Sequence, residues 1–278
     1  ALYNYLASVL RALGDSKRPL YFLVIAALLN IVLDLVFIIV FRMGAAGAAY
    51  ATVIAQGISG ILCLFYIAKK VPALHLHRED WEIDKNLAGW QLKIGLPMAF
   101  QYSITAIGSM VMQSANNKLG SVYVSGFTAG MRIKQFTMCP FDAFATAASV
   151  FCSQNLGAGQ AKRIKQGLWQ AIAVAVGYGI VAGLVMIIFG RPLSMIFVKK
   201  SAVDVLDASA KYLRCMGCFY WSLGILNVAR MVTQGLGYSG RAIFSGVTEM
   251  LARIIVSLGF VGTFGFTAIC FADQTAWV

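Results

Sequence analysis

Seven apolar runs, each long enough to cross a bilayer, recur along the chain: Tyr21–Phe41, Gly47–Ile67, Ile94–Gln113, Gly126–Phe151, Leu168–Phe189, Tyr212–Val232 and Ile243–Phe264. A helix rises about 1.5 Å per residue, so roughly 20 residues cross a hydrocarbon core about 30 Å thick. Composition agrees: 59% of residues are hydrophobic and 12% charged, with a mean hydropathy of +0.75, against about 25% charge in soluble domains. The expected fold class is an all-α polytopic membrane protein with about seven complete transmembrane helices. Glycine and proline punctuate several runs (Gly95-Leu96-Pro97, Cys139-Pro140, Gly177 and Gly179), which membrane helices tolerate when neighbours re-satisfy the backbone, so kinks are expected.

A formal net charge of +12 invites a nucleic-acid reading, but the basic residues follow the loops. Alternate connections carry Lys17 and Arg18, then Lys69, Lys70, Arg78, Lys85 and Lys93, then Lys162, Arg163 and Lys165, then Arg241. The intervening ones carry Arg42, Lys118, Arg191, Lys199 and Lys200. A bias of about two to one makes the first set cytoplasmic. No nucleic-acid partner is expected, no signal peptide is visible, and the lipid bilayer is the first partner.

The longest hydrophilic stretch, Val71 to Lys93, mixes Trp81, Ile83, Leu87 and Trp90 with charges and reads as an amphipathic cytoplasmic linker. The expected organisation is residues 1–70 as the end of a first transmembrane lobe, 71–93 as the linker, and 94–278 as a second lobe truncated at its end. His75-x-His77 lacks a third ligand nearby and reads as a solvated interface. Cys215-x-x-Cys218 has no second pair and no neighbouring histidine, so it reads as packing, and no disulfide framework is inferred.

The two lobes carry a repeat. LGDSKRPLYFLVIAALLN (Leu13 to Asn30) overlays LGYSGRAIFSGVTEMLAR (Leu236 to Arg253) without gaps, with identities at Leu13/Leu236, Gly14/Gly237, Ser16/Ser239 and Arg18/Arg241. A G-x-x-G follows each copy, Gly44 to Gly47 and Gly262 to Gly265, aligned after a short deletion. Both copies cross the membrane in the same direction. Parallel repeats of this kind are one architecture of secondary transporters, whose sites lie near the midplane.

Asp34 stands out inside LNIVLDLVF. Asn30 is one turn away on the same face. Thr52 and Asp34 are equidistant from the turn at Met43, roughly 13 Å below it, near the middle of the core. Asn and Thr are common interhelical glue. An ionised Asp at mid-bilayer costs about 2.5 to 3.5 kcal/mol on the gentlest scale and usually marks an ion or proton pathway.

The N-x-x-x-D of Asn30 and Asp34, Thr52 in GAAYAT, LRALGDSKRP and QNLGAGQAKR together resemble the multidrug and toxic compound extrusion family of efflux transporters. The resemblance spans essentially the whole chain and implies twelve helices in two six-helix lobes. This chain would be a piece lacking the first helices and the end of the last. Asn30 and Asp34 match the family's fifth-helix pair and Thr52 its sixth-helix threonine, at the proton or sodium site of the first lobe. A further family Asp, on the first helix, lies outside the chain. Relatives that bind cations in the second lobe use carboxylates on the seventh and tenth helices, but GLPMAFQYSITAIG and WSLGILNVAR hold none. Cation coupling there is therefore not expected. In the repeat Asn30 aligns with Arg253 and Asp34 with Ser257, and Glu249 stands one turn before Arg253, within pairing reach.

The resemblance implies secondary active efflux of organic cations or amphipathic drugs in exchange for H⁺ or Na⁺ by alternating access, in the inner (plasma) membrane. No cofactor is expected beyond the coupling ion, no metal beyond Na⁺ at Asp34, and no oligomer is predicted. Arg132, Lys134 and Asp142 share one span and either line a cavity or, for the two bases, snorkel outward. Asp142, beside Pro140, is the second ionisable candidate. Met98, Tyr102 and Gln113, with Met110 and Met112, are candidates for an adaptable cavity wall or for helix packing. QNLGAGQAKRIKQ lacks a Walker pattern and reads as a helix-ending glycine turn. The alternatives are a flippase for lipid-linked or polysaccharide precursors, which would have a larger and strongly basic cavity, and a non-transporting membrane fragment. No enzyme motif is present in the sequence.

Overall fold

The computed structural model describes residues 2–75 and 84–278 and divides the chain into two units, Ala1–Asp84 and Lys85–Val278. Among the described residues there is no strand. His77, Trp81 and Ile83 of the expected linker lie outside the described residues, whereas Lys85 to Lys93 form the first turns of the helix that continues into the next span.

The first unit comprises α1 (Leu2–Ala12), α2 (Lys17–Leu35), which runs on through a π turn at Val36–Val40, and α3 (Gly44–Lys70), followed by a 3₁₀ turn at Pro72–Leu74. Leu6, Leu10, Cys63 and Ile67 form its small core, with Phe22 and Tyr66 packed against it. Leu20, Ile25, Leu28, Ile31 and Val32 of α2 are exposed. A helix apolar on every side suits hydrocarbon rather than water.

LGDSKRP builds the turn between α1 and α2. Gly14 takes φ +91°, the amide of Asp15 donates to the Leu10 carbonyl at 3.0 Å, and that of Gly14 donates to Arg11 at 3.0 Å. This pattern closes a helix C-terminus with glycine in the left-handed region. Asp15 then clasps the next helix: its carboxylate accepts from the Arg18 amide at 3.2 Å and from the Tyr66 hydroxyl at 3.1 Å. The Arg18 guanidinium lies 5.1 Å from the Tyr66 ring centre. Pro19 sits in the first turn of α2, where its missing N–H costs nothing.

The second unit holds α4 (Lys85–Asn117), α5 (Ser121–Gly157), α6 (Ala161–Ser194), α7 (Val203–Gly235) and α8 (Ser239–Ile255). After α8 come a π turn at Val256–Phe260, α9 (Val261–Phe264) and α10 (Phe266–Trp277). Its core gathers Phe127, Phe141, Met186, Tyr212, Tyr220 and Ile269, among others. α6 and α7 cross closely: a Cβ on Gly183 would stand 2.4 Å from the Gly217 carbonyl oxygen, so backbone meets backbone there. α5 continues through Pro140, and next to it the Tyr178 hydroxyl donates to the Thr137 carbonyl at 2.9 Å.

Among the described residues six helices are long and apolar enough to cross a membrane, and the chain is a multi-pass membrane protein. The expected span at Gly126–Phe151 is not one of the six. It lies within α5, which has the length, but Arg132, Lys134, Gln135 and Asp142 dilute its apolarity. The glycine turn expected at QNLGAG is present, with Gly159 at φ +67° and the Gln160 amide donating to Asn155 at 2.8 Å.

The repeat is carried in the backbone. Gly237 takes φ +89°, and the Tyr238 amide donates to Thr233 at 3.0 Å, position for position as at Gly14 and Asp15. A π turn ends the following helix in both copies. Positive φ then recurs at Gly44 (+57°) and Gly265 (+54°), so the second anchor of the later copy is Gly265 rather than Gly262.

Candidate functional site

In the first unit, Asn30 and Asp34 are half-buried one turn apart on α2. The amide nitrogen of Asn30 and one carboxylate oxygen of Asp34 are shielded from solvent, and neither makes a hydrogen bond among the described residues. Thr52 on α3 is exposed, and its hydroxyl donates to the Ala48 carbonyl of its own helix at 2.9 Å. The structure therefore brings Asn30 and Asp34 together as open polar groups and leaves Thr52 turned to its own backbone. A buried acceptor without a donor costs about 1 to 3 kcal/mol, more for a charged group. Such a carboxylate gains from any proton or small cation that reaches it.

The second unit contains a denser arrangement. Asp273 on α10, 1% exposed, accepts from Lys134 Nζ at 2.5 Å and Tyr212 Oη at 3.1 Å on one oxygen. Its other oxygen accepts from Arg253 Nε at 3.0 Å. Glu249 on α8 pairs with Arg230 of α7 and stands 3.5 Å from Arg253 Nη1 across one helical turn. Arg230 Nε also donates to Ser245 Oγ at 3.0 Å, and Lys134 Nζ lies 4.9 Å from the Trp277 ring centre. Four helices thus converge on one ion network. Buried charges survive only when paired and hydrogen-bonded in this way.

That network forms a wall of a cavity of about 480 Å³ within the second unit. Tyr102 and Asp142 line the same cavity, and Asp142, exposed toward it, accepts from Asn227 Nδ2 at 2.8 Å. Gln113 lines a neighbouring cavity of about 410 Å³ together with Arg132, which is exposed. Met98 is half-buried on α4 and lines neither, and Met112 is a core residue. Lys134 does not snorkel but turns inward to Asp273. The pairing of Glu249 with Arg253 matches the one-turn spacing read from sequence.

Asp273 was missed in the sequence, although it meets the criterion that singles out Asp34: a lone carboxylate in an apolar stretch, Ala268 to Trp277. Its stretch is too short to read as a span, and its partners are remote, with 139 residues separating it from Lys134. The six cysteines are free.

The family described as MatE matches residues 97–258, more than half of the chain. The Bacillus subtilis (strain 168) protein named "Probable multidrug resistance protein YpnP" is 35% identical over 237 residues, covering 84% of this chain and 52% of the relative. A protein of Shewanella oneidensis named "FAD transporter" is 27% identical over 227 residues, covering 78% and 48%. The chain spans about half the length of the curated relatives it matches. Its fold is that of a solved structure described as MATE in complex with MaL6, at a TM-score of 0.92 and 20% identity over 99% of this chain and 63% of the other. An outward-facing multidrug resistance MATE transporter gives the same TM-score at 21% identity, covering 99% and 62%. With a matched family and a relative at this identity, the chain belongs to the MATE family of membrane transporters.

Proposed function

We propose that this chain is part of a secondary active efflux transporter of the inner (plasma) membrane, exchanging organic cations or amphipathic drugs for H⁺ or Na⁺ by alternating access. The observation that carries the reading is Asp34, whose shielded carboxylate oxygen has no donor among the described residues and lies one turn from an Asn30 amide nitrogen equally unpartnered among them. A carboxylate already held by cations, as Asp273 is by Lys134 and Arg253, has little to gain from a further cation. An open carboxylate at mid-membrane depth does, and intramembrane carboxylates of this kind serve ion and proton pathways. Asn30 would orient the ion by its amide oxygen. Thr52 would join by giving up its bond to Ala48, a rotation of one side-chain torsion. The multidrug resistance naming of several relatives supports the drug class of cargo.

The test is exchange in proteoliposomes of the full-length protein, wild type against Asp34→Asn, under a pH gradient and a Na⁺ gradient applied separately. Loss of gradient-driven efflux in a variant that still inserts is the expected result, and the gradient that drives the wild type names the ion. Full efflux by the variant would refute the coupling role.

A further inference from the structure

We propose that the cavity of the second unit is a binding site for the anionic headgroup, carboxylate or phosphate, of an amphipathic molecule, held by Arg253 and Arg230. The inference rests on the second unit alone and not on the exchange reading above.

The charge balance of the network is the first ground. Lys134, Arg230 and Arg253 are three cations, and Asp273 and Glu249 are two carboxylates, so the buried cluster retains one positive charge. Asp273 is behind the wall and does not line the cavity, whereas all three cations do. The face turned to the cavity is therefore more basic than the cluster as a whole. Asp142, across the same cavity, accepts from the neutral Asn227 amide and keeps its charge, so the lining as a whole sets three cations against the two carboxylates Glu249 and Asp142 and is still net positive.

The second ground is an unsatisfied donor. Arg253 is 5% exposed, and its Nη1 makes no hydrogen bond among the described residues; the nearest carboxylate oxygen, Glu249 Oε2, stands at 3.5 Å. The hydroxyl of Thr105, a residue also on the cavity wall, is shielded and likewise has no partner among the described residues. A guanidinium and a hydroxyl with unpaired donors on two residues that line one cavity are a donor set for an oxyanion, and guanidinium matches carboxylate and phosphate geometry. The third ground is the rest of the lining. Met138, Leu223, Leu226, Met231 and Trp277 give the ligand an apolar bed, and about 480 Å³ is in the size range of small-molecule sites.

In this arrangement Glu249 is the resident competitor. It occupies Arg230 and approaches Arg253, so an incoming oxyanion takes up donors that Glu249 shares. Removing its charge must tighten the site.

The experiment is calorimetric titration of the full-length protein in phosphatidylcholine nanodiscs with dodecyl phosphate, and with dodecyltrimethylammonium as the cationic counterpart. Wild type binds dodecyl phosphate saturably. Arg230→Gln weakens it about tenfold, the value of one charge-assisted contact, and Glu249→Gln tightens it about tenfold without improving the cation. The gain in Glu249→Gln cannot come from misfolding. Dodecyl phosphate affinity that is unchanged or weakened in Glu249→Gln, or equal saturable binding of the cation, would overturn the proposal. Nanodiscs containing phosphatidylglycerol then distinguish the sources of the headgroup: competition assigns the site to membrane phospholipid, and undiminished binding assigns it to a free amphiphile.

Discussion

The two copies of the repeat share a backbone and differ in chemistry. In each, a left-handed glycine (Gly14 or Gly237) closes one helix, a long helix follows, a π turn ends it, and a second left-handed glycine (Gly44 or Gly265) starts the return. On that common frame the first copy places Asn30 and Asp34, with shielded atoms left open, and the second places Glu249 and Arg253, tied into a network with Lys134, Arg230 and Asp273. The clasp differs too. Asp15 bonds Arg18 and Tyr66, whereas its counterpart Tyr238 stacks under Arg241, whose guanidinium is 5.2 Å from the ring centre. Backbone geometry was retained through glycine positions, while a few side chains decide whether a copy leaves its carboxylate open or ties it to cations.

The largest effect that separates the copies is on stability. Asp273→Ala strands Lys134 and Arg253 without their shared carboxylate, and breaking a buried pair from one side costs about 3 to 5 kcal/mol. Asp34→Asn removes a charge that has no partner among the described residues and is expected to leave the melting temperature unchanged or raised. Thermal unfolding of both variants in detergent checks this, and equal destabilisation would end the distinction between open and closed copies.

A smaller loss is expected at the α6/α7 crossing. Gly217→Ala puts a Cβ 2.6 Å from the Gly183 carbonyl oxygen and 2.8 Å from Ile187 Cγ1, an overpacking that costs about 1 to 3 kcal/mol. The same melting assay reads it, and it should add to the Asp34→Asn result without coupling, since the residues share no partner. Asp15→Ala comes next, at about 1 kcal/mol for a lost cap and its tyrosine contact. Tyr238→Ala, at the equivalent position of the later copy, has no carboxylate clasp to lose.

The smallest effect sharpens the likeness instead. Gly14→Ala and Gly237→Ala each force a Cβ into the left-handed region, at about 1 kcal/mol apiece. No neighbouring atom lies within 4 Å of either new Cβ. Both should therefore be penalised equally, and a difference of more than about 1 kcal/mol between them would show that the two turns are not energetically equivalent.

Asp34 was legible in the sequence because its cost is local: a carboxylate among aliphatic residues is expensive whatever surrounds the helix. Asn30 followed from helical spacing, as did the pairing of Glu249 with Arg253. Thr52 was read at the depth of Asp34 by counting from Met43, but a side-chain torsion decides which way its hydroxyl points, and here it donates to the Ala48 carbonyl one turn back. Lys134 resembled Arg132 in the sequence, and only packing separated them, sending one to Asp273 and leaving the other exposed.

By itself, then, the sequence determined the membrane, the helices, the repeat and the lone carboxylate of the first copy, because hydrophobic length, helical period and the cost of a buried charge are properties of short segments. Tertiary structure decided the network of the second unit. Ion pairing of Lys134 on α5 and Arg253 on α8 with a carboxylate on α10, and of Arg230 on α7 with Glu249 on α8, depends on four helix axes meeting at one point. No local period encodes which remote charge will neutralise which.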